Sequence, residues 1–184
     1  MYYLNLVNLL FACSGLVLLV IPIGLYADYF FCQGKYYKKL VQPIVWPVLI
    51  LTTVGGVMIS FVYSEYFGYV PCSLCWLQRI ALYPQALFSI MAIRTKERVY
   101  FPLYSLALSL AGLAAAIYHY IYQMAPERTA TGGSLVPCLV DGSADCGLKV
   151  IEEFGFVTFP LLSAIMFAFL IVLYLNMRRS HTPG

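Results

Sequence analysis

Residues 71–79 read PCSLCWLQR, two cysteines three apart closed by an arginine, at the head of a run that stays largely apolar to Ile93. Whether that run crosses a bilayer decides the fold, because an ionisable side chain at membrane depth is costly and marks function where it occurs. Composition answers first. Of 184 residues, 62% are hydrophobic and 10% charged, with a mean hydropathy of +0.83, whereas a soluble domain averages about 45–50% apolar and about 25% charged. Membrane spans, not a soluble core, are therefore to be counted. The net charge of +3 is small and spread among short clusters, which gives no footing for nucleic acid.

Working outward from PCSLCWLQR, five segments approach the roughly 20 residues a crossing needs: Leu4 to Ala27, Ile44 to Ser64, Leu74 to Ile93, Val99 to Tyr122 and Phe154 to Met177. Only the third has a charge well inside it, Arg79, one turn from its start. None alternates with period two, so the expectation is an all-α integral membrane protein. It would be a four-helix transmembrane bundle with one additional N-terminal transmembrane helix. Residues 1–40 hold that extra helix and a loop, and 41–184 the four-helix domain, with outer loops at 65–75 and 123–154.

Basic residues set the orientation. Lys35, Lys38 and Lys39, then Arg94, Lys96 and Arg98, then Arg178 and Arg179 fall on one side, taken as cytoplasmic; they are eight of the eleven basic residues. Glu65, Glu127, Asp141, Asp145, Glu152 and Glu153 fall opposite, with only Arg128 and Lys149 against them. PCSLC and the loop from Gln123 to Glu153 thus share the outer face. Met1 to Ala27 lacks a basic n-region and a convincing small-residue cleavage site, and reads as a retained helix. Pro22, Pro47, Pro84 and Pro160 read as kinks. In 147–154, Leu148, Ile151 and Phe154 have helical spacing against Lys149, Glu152 and Glu153, as in a segment lying on a membrane surface.

Six cysteines are present, and four, Cys72, Cys75, Cys138 and Cys146, are on the outer side, where disulfides persist. Cys13, within the first span, reads as a buried apolar thiol, and Cys32 lies in the cytoplasmic loop. A C-x-x-C bridge closes too short a loop to be a useful staple; its ordinary uses are redox exchange and metal binding. Four thiolates suit zinc, but the second spacing, C-x7-C, is no zinc-knuckle pattern, so redox exchange is the reading taken and no metal is expected. Cys75, in the first turn of a helix starting near Ser73 or Leu74, gains from the helix dipole and from Arg79 four residues on. The only histidines are His119 and His181, too few for a bis-histidine haem in the membrane, and no flavin or dinucleotide motif is present. A lipid-soluble quinone fits as electron acceptor.

Four ordered motifs carry a resemblance: Pro71-Cys72-Ser-Leu-Cys75-Trp-Leu-Gln78-Arg79 with Tyr83-Pro84, then Tyr118-His119-Tyr-Ile-Tyr-Gln123, the second cysteine pair, and Gly155-Phe-Val-Thr-Phe-Pro160-Leu. Over about residues 43 to 178 the chain resembles the DsbB family of bacterial membrane thiol:quinone oxidoreductases, especially its BdbC-like branch. The resemblance implies a bundle in the bacterial cytoplasmic (inner) membrane that reoxidises a DsbA-like thioredoxin-fold dithiol oxidase and passes the electrons to ubiquinone or menaquinone. It further implies that Cys72 and Cys75 are the quinone-linked pair, with Cys75 as the thiolate at the quinone and Arg79, Gln78 and His119 around it. Cys138 would form the mixed disulfide with the partner, and Cys146 would resolve it and pair transiently with Cys72. The first helix, and the short separation of Cys138 and Cys146, depart from the familiar pattern. A vitamin K epoxide reductase-like enzyme is disfavoured because there the loop cysteines precede the C-x-x-C. A membrane protein with merely structural loop disulfides is the non-catalytic alternative.

Overall fold

The computed structural model describes residues 2–95, 97, 99–124, 146–147, 149–152 and 154–181. Among the described residues five long helices make the fold: α1 (Tyr2–Phe31), α2 (Val45–Phe61), α3 (Ser73–Thr95), α4 (Phe101–Met124) and α5 (Phe159–His181). Among the described residues four stretches are long and apolar enough to cross a membrane, by length and composition: Asn8–Phe31, Tyr37–Tyr66, Phe101–Met124 and Phe159–Ser180. The chain is thus an all-α, multi-pass membrane protein. α3, at 23 residues, is long enough but more polar. Its Gln85 and Ser89 are fully buried, because α3 runs between α2 and α4.

Neighbouring helices pack in the order α2, α3, α4, α5, and α1 docks on α5. Gln85 is the polar joint of the bundle. Its Oε1 accepts the hydroxyls of Ser109 on α4 and Tyr174 on α5, each at 3.0 Å, while its Nε2 donates to Ala81 O at 2.9 Å. Close approach of α4 to α5 depends on Gly112, where a Cβ would fall inside the space of the Phe167 ring. Phe167 is fully buried and cannot swing clear. Gly112→Ala is therefore expected to destabilise the bundle by about 1–3 kcal/mol, read as a lower midpoint of thermal unfolding in detergent.

The added helix α1 is tied along its length. Tyr63 at the end of the α2 segment donates its hydroxyl to Asn8 Oδ1 at 2.7 Å, and Arg179 Nη1 donates to Tyr29 O at 2.7 Å. Leu162 of α5 occupies the room a Cβ would need at Gly15. Asp28, which is buried, organises the turn into the next span: Oδ1 accepts Tyr36 N–H at 3.0 Å and Oδ2 accepts Tyr37 N–H at 2.8 Å.

Three local expectations are corrected. Pro47 and Pro160 sit in the first turns of α2 and α5, where a missing N–H costs nothing; Pro22 and Pro84 are the interior ones. The last span starts at Phe159, not Phe154, because Phe154 and Gly155 take positive φ of 56° and 76° and turn the chain before the helix. The surface helix expected over 147–154 is absent from its described residues. Ile151 is instead fully buried, and Lys149 pairs with Glu152 at 2.6 Å across an irregular stretch.

Candidate thiol redox site

The chemistry gathers at the end of the bundle where α3 begins and α4 ends. Cys72 immediately precedes α3 and caps it: its carbonyl accepts Trp76 N–H at 3.0 Å and its Sγ accepts Cys75 N–H at 3.4 Å. The C-x-x-C spacing is therefore the spacing from N-cap to third helical residue, so Cys72, not Cys75, takes the place a capping oxygen would fill. Cys72 Sγ and Cys75 Sγ lie 3.0 Å apart, in hydrogen-bond contact. That separation lies between contact and the roughly 2.05 Å of a disulfide, so only a small side-chain rotation has to accompany the loss of two electrons and two protons that would form the bond.

Both sulfurs are unbridged, with Cys72 buried and Cys75 half-buried. The hydrogen bond from Cys75 holds the Cys72 thiol well below its ordinary range; burial opposes this, and the His119 ring assists it. The helix N-terminus expected to favour Cys75 also reaches Cys72, whose Sγ accepts the Cys75 N–H. The sign is testable. A lowered pKa keeps the thiolate as pH falls, so reduced protein at about pH 6 should retain a thiolate signal where an ordinary thiol of pKa about 8.5 holds well under 1%. Far-ultraviolet thiolate absorbance measures it, and Cys75→Ala, which removes the donor, should shift the titration toward that ordinary value.

His119, near the end of α4 and only 2% exposed, is the post at which Cys72 and Cys146 meet. Gln78 Nε2 lies 3.1 Å from His119 Nδ1. With that amide donating, the ring proton is on Nε2, which donates to Cys146 O at 3.0 Å and lies 3.9 Å from Cys72 Sγ. Gln123, one turn along α4, donates to the same carbonyl at 3.4 Å. Cys146 is fully buried, disulfide-bonded, and packed in one cluster with Cys72 and Leu74, bordered by Cys75, Tyr118 and Tyr122. Cys138 lies outside the described residues.

Arg79 points elsewhere. Its Nη2 donates to Ser60 O at 2.9 Å, close to where α2 gives way to a wider π turn over Val62–Tyr66, and its guanidinium lies 5.1 Å from the centroid of the Trp76 ring. Gln78 and His119 are thus engaged on the thiol side, while Arg79 shares the outer face of α3 with the exposed Trp76, Leu77 and Ile80. Sequence reasoning did not find Ser60, which acts through its backbone and leaves no signature. Gln123 had a usable one, the i,i+4 spacing from His119.

The family model described as disulfide bond formation protein DsbB matches residues 42–177. The chain belongs to the DsbB family. Among curated DsbB-like relatives, a probable disulfide formation protein of Oceanobacillus iheyensis is 34% identical over 137 residues, covering 74% of this chain and 87% of that protein. Disulfide bond formation protein C of Bacillus subtilis is 32% identical over 128 residues, 69% of this chain and 84% of its own. The SPbeta prophage-derived disulfide bond formation protein B of Bacillus subtilis is 37% identical over 113 residues, 61% and 71% respectively. No solved structure matches. As a DsbB-family member this chain is a membrane protein of disulfide bond formation, and α1 precedes the matched region.

Proposed function

We propose that the protein is a thiol:quinone oxidoreductase of the bacterial cytoplasmic membrane. It would reoxidise a DsbA-like dithiol oxidase outside the membrane and deliver the electrons to ubiquinone or menaquinone. The observation that carries this reading is the meeting of a Cys72–Cys75 dithiol and the disulfide-bonded Cys146 in one buried cluster beneath His119.

The electron balance follows from thiol exchange. A partner thiolate attacks Cys138 of a Cys138–Cys146 disulfide, and the second partner thiolate releases it; the partner loses two electrons and leaves as a disulfide. The Cys146 thiolate then attacks Cys72 of a Cys72–Cys75 disulfide, and Cys75 leaves. Cys138 attacks Cys146 in turn, re-forming the loop disulfide and expelling Cys72. Cys72 is a good leaving group because the helix cap and the Cys75 thiol stabilise its thiolate.

The outer face of α3 suits a quinone: Cys75 is half-buried beside exposed Trp76, Leu77 and Ile80, and Arg79 has donors beyond the one given to Ser60. When bound, the quinone supplies an acceptor for two electrons and two protons. Arg79 would hold its carbonyl oxygen and Trp76 its flat face. His119 and Gln78 instead fix the Cys146 backbone against Cys72.

Thiol trapping tests the partner half of this scheme. Cys138→Ala should abolish the mixed disulfide with a dithiol partner, seen as loss of the reducible adduct on a non-reducing gel. A protein with merely structural bridges forms no such adduct in either variant or parent.

A further inference from the structure

Among the described residues, Cys72, Cys75 and His119 form the one group of three His, Cys, Asp or Glu side chains placed to share a metal ion, their ligand atoms all within 4.8 Å of one another. We propose that the reduced Cys72–Cys75 pair and His119 bind a thiophilic d10 divalent cation, Zn2+ or Cd2+, and that the site exists only in the dithiol state. This rests on the site's geometry and not on the identity of the electron acceptor.

The fit is close. With Zn–S near 2.3 Å and Zn–N near 2.0 Å, a tetrahedral centre wants its sulfurs about 3.8 Å apart and each sulfur about 3.5 Å from nitrogen. The sulfurs stand at 3.0 Å and Cys72 Sγ at 3.9 Å from Nε2. Opening the first distance and closing the second takes only side-chain rotation. The Cys146 carbonyl, 3.0 Å from Nε2, offers an oxygen at the fourth position. Gln78 lies against Nδ1 and can turn its amide so that Oε1 accepts the Nδ1–H, the outer partner that a ligating histidine ordinarily has. Cys75, being half-buried, provides the way in.

The chemistry is ligation without electron transfer. Each sulfur that enters as a thiol gives its proton to water, two metal–sulfur bonds form, and no group is oxidised or reduced. A Cys72–Cys75 disulfide has no thiolate to offer and does not bind. Occupancy ties up the sulfur that faces Cys146, so the cation competes with disulfide exchange.

The test uses the full chain in detergent with Cys13, Cys32, Cys138 and Cys146 replaced by alanine, leaving only the pair in question, and Co2+ as the spectroscopic probe. The reduced protein should take up one equivalent with thiolate-to-cobalt charge-transfer bands and tetrahedral d–d bands, which Zn2+ or Cd2+ then removes by displacement. The oxidised protein should show neither band, and adding His119→Gln should weaken binding at least tenfold and alter the d–d bands. Should the four-alanine protein fail to fold, reduced wild-type protein with Zn2+ should show Cys72 and Cys75 protected from alkylation by mass spectrometry. Absence of the bands in folded reduced protein, equal binding by the disulfide form, unchanged affinity in His119→Gln, or in the wild-type measurement no protection of the pair, would overturn the proposal.

Discussion

Replacing Cys72 with alanine is expected to slow steady-state oxidation of a dithiol partner by on the order of a thousandfold or more, while a Cys13→Ala, Cys32→Ala double variant keeps the parental rate. The contrast follows from position. Cys72 is the one sulfur placed against both Cys75, 3.0 Å away, and the buried cluster that holds Cys146. In the proposed relay, electrons passing between the two pairs cross it. Cys13, expected to be buried, is exposed, as is Cys32, and both are unbridged and lie on neither route. Partner oxidation followed by thiol alkylation and gel shift measures the rates, and a Cys72→Ala rate within tenfold of the parent contradicts the assignment.

Arg79→Ala carries the second large effect. The apparent affinity for quinone should fall about 10- to 100-fold, corresponding to about 1.4–2.7 kcal/mol, the size expected for a hydrogen bond from a charged donor. A single turnover of thiol exchange between partner and protein should be untouched, because the guanidinium contacts Ser60 O and Trp76 rather than the thiols. The split between the two measurements is the informative part. A variant that loses thiol exchange and quinone affinity together has lost its fold, and Arg79→Lys, which keeps the charge but not the planar fork, should fall between parent and alanine.

The bundle itself was legible because hydropathy and basic clusters are local signals. Runs of apolar residues between Lys35–Lys39, Arg94–Arg98 and Arg178–Arg179 placed the crossings within a few residues of α1, α2, α3 and α4. The start of α5 was not, because Phe154 and Gly155 turn with positive φ and the apolar pattern continues through that turn. The expected surface helix after Cys146 failed for a tertiary reason: Ile151 is drawn into the interior and the Cys146 carbonyl is held by His119 and Gln123.

At the site, the spacing of Cys72, Cys75 and Arg79 correctly located a helix N-terminus. It could not say which sulfur caps that helix, since the choice turns on a start one residue after Cys72. Nor could it show that His119 stands between Cys72 and Cys146, because a contact across a 27-residue separation leaves no local signal. The ties that hold α1, from Tyr63 to Asn8 and from Arg179 of α5 to Tyr29, were equally invisible, resting on single hydrogen bonds over long separations.

The most direct measurement supplies purified protein with a reduced thioredoxin-fold dithiol oxidase and a ubiquinone or menaquinone, and follows partner and quinone together. The expected result is one quinone reduced for each partner disulfide formed, with the rate lost when Cys72, Cys75, Cys138 or Cys146 is replaced. Partner oxidation that leaves the quinone untouched, or quinone reduction that survives loss of Cys72 and Cys75, would contradict the thiol:quinone relay.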